Sequence, residues 1–250
     1  MFHRRTKGPL LLFVLASLNW THAQQEVPNE IFQRTLLIRS GMELATAFKF
    51  DQGGRIYLVT TRHFGKNLPL NNAVVQVWHG EWNDLQTVRT FFPASKDVDL
   101  AFLETGEQIP RPYAVVKSSE VLTTGQQVWF MGWVGPTPQP KMPANLPKIP
   151  EIPFVTIGTV SEINPRKPDA FKIHPSYQKS YNLRVAGGPI VYWSPVHRDY
   201  EILGVIKRNE RDAERVSING NPVQEVVKSG IVEGYSIDVV VETISGNSHP

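Results

Sequence analysis

Short runs of β-branched, aromatic and aliphatic residues recur along most of the chain, separated by Gly, Asn, Asp and Pro rather than spaced at a helical period. Runs over Thr35–Arg39, Glu43–Phe50, Arg55–Thr60, Ala73–Trp78, Leu85–Phe91, Asp99–Glu104 and Tyr113–Lys117 predict one set of strands. A second set covers Gln126–Trp133, Phe154–Ile163, Ala170–Ile173, Pro189–Trp193, Glu201–Arg208 and Val232–Ile237. Asp51-Gln52-Gly53-Gly54 predicts a tight hairpin turn, because glycine takes the positive φ that such a reversal demands. Short strands at this spacing predict an all-β chain built as a barrel or sandwich. Asp238 suits a helix N-cap, its carboxylate accepting from the free amides of a first turn.

Two stretches break the pattern. Gln24–Glu30 is polar and predicts a linker. Pro136–Pro153 carries prolines at 136, 138, 140, 143, 147, 150 and 153, each removing a donor and fixing φ, so the run predicts an extended surface loop. Such a loop fits either a polyproline-type ligand for a partner domain or a stiff insertion covering one barrel end.

The N-terminus changes the reading of charge. His3, Arg4, Arg5 and Lys7 precede an apolar run from Leu10 to Leu18 and then Thr21-His22-Ala23, the order of a secretory signal peptide with its cleavage site, over residues 1–23. The apolar run is too short to span a bilayer. Arg4, Arg5 and Lys7 account for the whole excess of 26 basic over 23 acidic residues, so the rest of the chain is neutral. Neutrality gives no warrant for a nucleic-acid or membrane-surface partner. There are no cysteines, which excludes disulfides and a lipid anchor on Cys, so the domain is expected to hold by core packing in the periplasm or outside the cell. Oligomeric state is not legible.

Three segments carry candidate chemistry. Arg184-Val185-Ala186-Gly187-Gly188-Pro189 resembles the Gly-x-Ser-Gly-Gly-Pro loop that bears the nucleophile of trypsin-like serine peptidases, with Ala186 in the place of the serine. Leu58-Val59-Thr60-Thr61-Arg62-His63 resembles the strand that delivers the general base, and Asp97-Val98-Asp99-Leu100-Ala101 the segment that delivers the orienting carboxylate. The order His63, Asp99, Ala186 is that of chymotrypsin. Gln126–Trp133, Ile202-Leu203-Gly204-Val205-Ile206 and Gly234-Tyr235-Ser236-Ile237-Asp238 resemble, in turn, the opening strand of the second barrel, the strand after the nucleophile loop, and the Gly-Phe-Ala-Ile-Pro element of compact bacterial HtrA-like peptidases. The resemblance implies a peptidase domain over 31–245. It would comprise two antiparallel β-barrels, about 31–120 and 121–237, and a closing helix at 238–245, with no PDZ module following.

It also implies a site lacking its nucleophile. Ala186 has no hydroxyl, and loss of the nucleophile from a serine peptidase costs about six orders of magnitude in turnover. Arg184 stands where the family has glycine at the oxyanion-hole position, so the amides of 184 and 186 are in question. Two departures at one site favour natural loss over a single engineered Ser-to-Ala change. Ser180, Lys207 and Arg208 fall where the family lines its substrate cleft, Lys207 and Arg208 beside an edge that would add a peptide strand and favour acidic side chains on it. Expected is a non-catalytic, trypsin-like module that binds a peptide or protein; the alternative is a serine endopeptidase whose nucleophile is missing only in this version. His79, His174, His197 and His249 are scattered without metal-ligand spacing, and no phosphate or dinucleotide motif is present, so no metal or cofactor is implied.

Overall fold

The structure is a computed structural model that describes residues 29–107, 122–133, 153–163, 170–176, 185–218 and 221–247, with backbone alone over 208–218 and 221–229. The leader, the strand expected at Tyr113–Lys117, and most of the proline-rich run lie outside these residues.

Six strands form the first barrel: β1 (Thr35–Ser40), β2 (Glu43–Gln52), β3 (Arg55–Thr60), β4 (Val74–Trp78), β5 (Trp82–Phe91) and β6 (Ala101–Thr105). They close in the order β1-β2-β3-β6-β5-β4. Gly53 and Gly54, at φ 61° and 76°, make the two-residue reversal between β2 and β3 that the sequence predicts. The second barrel comprises β7 (Gln127–Gly132), β8 (Phe154–Ile163), β9 (Ala170–Pro175), β10 (Pro189–Ser194), β11 (Asp199–Ile218) and β12 (Asn221–Ser236). Read from β7, its strands close in the same relative order as those of the first, and every pairing in both barrels is antiparallel.

Alternation along the strands is partly hidden because many of them have two buried faces. In β3, Leu58 points into the first barrel with Leu36, Ile38, Ala47 and Leu103, while Tyr57 and Val59 belong to a separate cluster between the barrels. In β7, Val128 and Phe130 fill the second barrel, and Trp129 and Met131 join that same seam. A strand buried on both sides reads as a continuous apolar run, as Arg55–Thr60 and Gln127–Gly132 do. Ile202–Ile206 divides likewise, Leu203 and Ile206 facing the barrel, Ile202 and Val205 the seam. Gly204 between them lets backbones meet, since a Cβ there would sit 2.2 Å from the Tyr235 carbonyl oxygen.

Three departures from the sequence expectations are larger than a strand end shifted by a few residues. A helix, α1 (Asn29–Arg34), begins inside the segment read as a linker; Ile31 is its buried anchor, and Thr35 Oγ1 donates to the Ile31 carbonyl at 2.9 Å. The C-terminal helix, here α3 (Ile237–Asn247), starts one residue before Asp238, which therefore lies in the first turn and is not the N-cap. A carboxylate there still favours the helix through its dipole. Strands β11 and β12 continue past the barrel as a paired ribbon up to Ile218↔Asn221. Asn219-Gly220, between those two residues in the sequence, is the hairpin signal that could have found it.

The barrels meet through close backbone contact at the Val185–Gly188 turn. Gly187 has φ 89°, and a Cβ on it would lie 2.4 Å from the Thr46 carbonyl oxygen in β2. We expect Gly187→Ala to destabilise the protein by at least about 2 kcal/mol in urea unfolding, because left-handed strain and a clash with immovable backbone add together. A loss below about 0.5 kcal/mol would mean the turn is free to move off the seam.

Candidate functional site

His63 lies on α2 (Arg62–Gly65), a single turn that follows β3 directly. The turn packs tightly on β6, since a Cβ on Gly65 would meet the Ala101 Cβ at 2.6 Å. Thr61, in extended geometry, takes the N-cap position, and its carbonyl accepts the Gly65 amide at 3.0 Å. Its hydroxyl makes no cap bond and lies 3.3 Å from His63 Nε2.

Asp99 immediately precedes β6 and grips His63 twice. His63 Nδ1 lies 2.8 Å from Asp99 Oδ2, and the His63 amide donates to Asp99 Oδ1 at 2.9 Å. With the ring proton on Nδ1 facing the carboxylate, Nε2 is the acceptor and the Thr61 hydroxyl donates to it. The hydrogen bond to Asp99 raises the His63 pKa above its ordinary 6.5, against partial burial and Lys66 and with help from the Asp99 and Glu43 charges. For Asp99, burial pushes upward, but the hydrogen bonds and charge of His63 and the backbone amides of His63 and Arg62 outweigh it, holding the carboxyl below 3.8.

Two side chains that the sequence reading missed hold the acid in place. The Arg62 guanidinium donates to the carbonyls of Pro93 at 2.6 Å, Ser95 at 2.9 Å and Val98 at 2.9 Å, clamping the segment that leads to Asp99. Tyr235, from the second barrel, accepts the Asp99 amide at 2.9 Å and donates to the Asp97 carbonyl at 3.3 Å. The signal was present at Tyr235, whose ring lies in an apolar strand end while its hydroxyl needs a partner.

Ala186 is half-buried in the turn opposite. Gly188 donates to the Val185 carbonyl at 2.9 Å, and the turn is pinned to β11 by Gly187 N–H to Ile206 O and Ile206 N–H to Gly188 O, both 2.8 Å. On its other side it meets Thr60, three residues before His63; a Cβ on Gly187 would lie 3.1 Å from the Thr60 Cα. The structure thus brings the turn bearing Ala186 against the strand end that carries His63. Arg184 and Ser180 lie outside the described residues, as does the side chain of Arg208. Lys207 is not a free cation at the cleft: its ammonium is 2.9 Å from Glu233 Oε2 and 5.4 Å from the Tyr235 ring centroid. Its charge is paired within β11 and β12.

A second histidine–carboxylate pair lies elsewhere in this barrel. His197 Nδ1 pairs with Glu201, whose buried carboxylate also accepts the Tyr192 hydroxyl, and burial with that bond pushes Tyr192 up to about 12. These contacts fasten the β10–β11 hairpin. Among the described residues no group of three or more His, Asp or Glu is placed to hold a metal ion.

The His63 ring protons should titrate by NMR above 6.5, and Asp99→Asn should lower that value. The raised histidine contributes stability that is complete below pH about 6.5 and lost as pH rises through its folded value. The depressed carboxylate contributes above pH about 3.8, and that part is lost as pH falls through its own folded value. An unchanged His63 titration in Asp99→Asn would break the pair. Tyr235→Phe should cost about 1 kcal/mol in urea unfolding, the net worth of an intramolecular hydrogen bond; no measurable change would mean the hydroxyl does not hold Asp99.

No family model matches the chain, and no curated protein matches it. Among solved structures, the chain is similar to the crystal structure of Rv3671c from M. tuberculosis H37Rv, a serine-to-alanine mutant in an inactive form. Identity is 16%, the TM-score is 0.48, and the match covers 87% of this chain and 88% of that one. The two closed barrels and the His63–Asp99 pair stand on this chain's own strands and side chains.

Proposed function

We propose that the protein is a non-catalytic, HtrA-like member of the trypsin-like group that holds an extended peptide or protein segment in the cleft between its barrels. One observation carries the reading: the His63–Asp99 pair is built and the 185–188 turn lies against the strand end before His63, yet the residue in the nucleophile's place in that turn is alanine, which has no hydroxyl to attack with. His63 can accept a proton at Nε2, but what lies within hydrogen-bond reach of that nitrogen is Thr61, itself buried at 1% exposure. A buried hydroxyl two residues from the base is poorly placed to attack a substrate carbonyl, so it acts as a holder of the ring.

Peptide binding is supported by the edge of β11. Its pairing with β10 runs from Asp199 to Val205, and beyond Ile206 no described strand pairs with that edge, while β12 covers the other. Such an edge offers main-chain donors and acceptors to an added strand, a mode that needs no nucleophile. Residues 1–23 support export to the periplasm or the exterior, and among the described residues no helix is long and apolar enough to cross a membrane.

The intact His63–Asp99 pair favours a second reading, a serine endopeptidase lacking its nucleophile only in this version. The two are separated by restoring the hydroxyl. Ala186→Ser should remain unlabelled by a fluorophosphonate probe and inactive on casein, with reaction appearing, if at all, only when Arg184→Gly is added. Labelling and hydrolysis by Ala186→Ser alone would overturn the non-catalytic reading.

A further inference from the structure

A carboxylate of the first barrel stands beside the His63–Asp99 pair with its charge uncompensated. Glu43 opens β2 and is exposed, three residues before Thr46, whose carbonyl oxygen lies against Gly187. At the rise of a strand, that is about 10 Å from the point where β2 meets the turn bearing Ala186. Its side chain is held from the other flank of the site: Asn67, four residues after His63, donates its amide to both Glu43 carboxylate oxygens, at 3.2 and 3.1 Å. Asn67 is neutral, so these bonds fix the carboxylate without cancelling its charge. No lysine or arginine among the described residues, Lys66 included, pairs with Glu43.

The neighbouring charges do not mask it. Asp99 is engaged by His63 at both oxygens, and Lys207 is paired with Glu233. At the imidazole, the Glu43 charge raises the His63 pKa more than the Lys66 charge lowers it. The surroundings of the base are therefore net negative on the side of Glu43.

We propose that Glu43 makes the cleft selective for a segment that carries lysine or arginine where it passes His63. The inference rests on the holding of an extended segment proposed above and names the kind of segment held. A carboxylate already ordered by Asn67 meets an incoming ammonium or guanidinium without further loss of its own rotamer freedom, which lowers the cost of pairing. The pair is open to solvent, so it has the modest worth of an exposed salt bridge and chooses among segments rather than supplying the affinity. Main-chain bonds along the β11 edge supply that instead. An acidic side chain at the same place meets Glu43 as a like charge and is rejected.

The test is a positional-scanning library of octapeptides, with fluorescein on the N-terminus and an amide on the C-terminus, titrated against the full chain by anisotropy. Lys, Gln or Glu is fixed at each position in turn. At one position Lys should bind about two- to fivefold tighter than Gln, and Glu more weakly than Gln, with both differences shrinking as salt is raised. Glu43→Gln keeps an acceptor for Asn67 and removes only the charge. It should make Lys and Gln peptides bind alike at that position and should lower the His63 titration of the free protein. No preference at any position, or a preference that survives in Glu43→Gln, overturns this inference and leaves the holding reading standing. An unchanged His63 titration in Glu43→Gln overturns it as well, by removing Glu43 from the neighbourhood of the base. Failure of the wild type to bind any peptide overturns the holding reading, and this inference with it.

Discussion

The site depends on one steric constraint, the absence of Cβ atoms where the backbones of the two barrels cross. Two closed barrels joined by a linker could place His63 and Ala186 at many separations. What fixes them is that Gly187 lies against Thr46 and Thr60 of the first barrel, while Gly188 and Gly132 let the same turn settle on β7. A Cβ on Gly188 would stand 1.9 Å from the Met131 carbonyl oxygen, and one on Gly132 2.5 Å from the Val185 Cα. Neither neighbour is a flexible side-chain tip, so neither can yield. Hydrogen bonds then lock what sterics allow: Trp133 N–H donates to Thr46 Oγ1 at 2.9 Å, and Thr60 Oγ1 donates to the Thr46 carbonyl at 2.8 Å. The turn, the base strand and the opening strand of the second barrel therefore move as one unit.

Apolar packing gives this seam its strength but not its aim. Phe48, Phe50, Tyr57, Phe102, Trp129, Tyr200 and Ile244 form one buried cluster between the barrels and beneath α3. Such burial is worth about 1.5–3 kcal/mol for each large side chain, and it is non-directional. Direction comes from polar atoms at the edge of that cluster. Tyr235 contributes its ring to the seam and its hydroxyl to the Asp99 loop, so a residue of the second barrel sets the height of an acid in the first. Arg62 does the same from within the first barrel, using three carbonyls that would otherwise need water or each other.

Much of this was legible from sequence. Each of the twelve strands overlaps a run that β-branched and aromatic residues mark, and His63 and Asp99 were placed by the segments around them. What was hidden has physical causes. The β11–β12 ribbon is long because backbone pairs continue through Arg208–Ile218, where charged residues erase the apolar alternation that marks a half-buried strand. The start of α1 was missed because a one-and-a-half-turn helix anchored by Ile31 has no period to detect. Arg62 reads as a polar residue beside a histidine; its role follows from the fold of 93–98, which sequence spacing does not give. Lys207 was read at the edge that follows Ile206, but its ion pair was not, because its partner Glu233 comes from a strand whose register only the closed barrel sets.

Stability alone does not account for the His63–Asp99 arrangement. The two side chains are 64% and 36% exposed, and a pair as open as that contributes at most about 1 kcal/mol. Yet the acid is held by Arg62 on one side and Tyr235 on the other, and the imidazole is fixed at both ring nitrogens, by Asp99 and by Thr61. Ordering five side chains costs rotamer freedom that an exposed ion pair does not repay. The arrangement makes physical sense as a preformed surface: rigid donors and acceptors at the mouth of a cleft reduce the ordering that a bound segment would otherwise have to supply. On the proposed non-catalytic reading that rigidity serves holding, and the missing hydroxyl at Ala186 is then compatible with a binding site built to the tolerances of an active one.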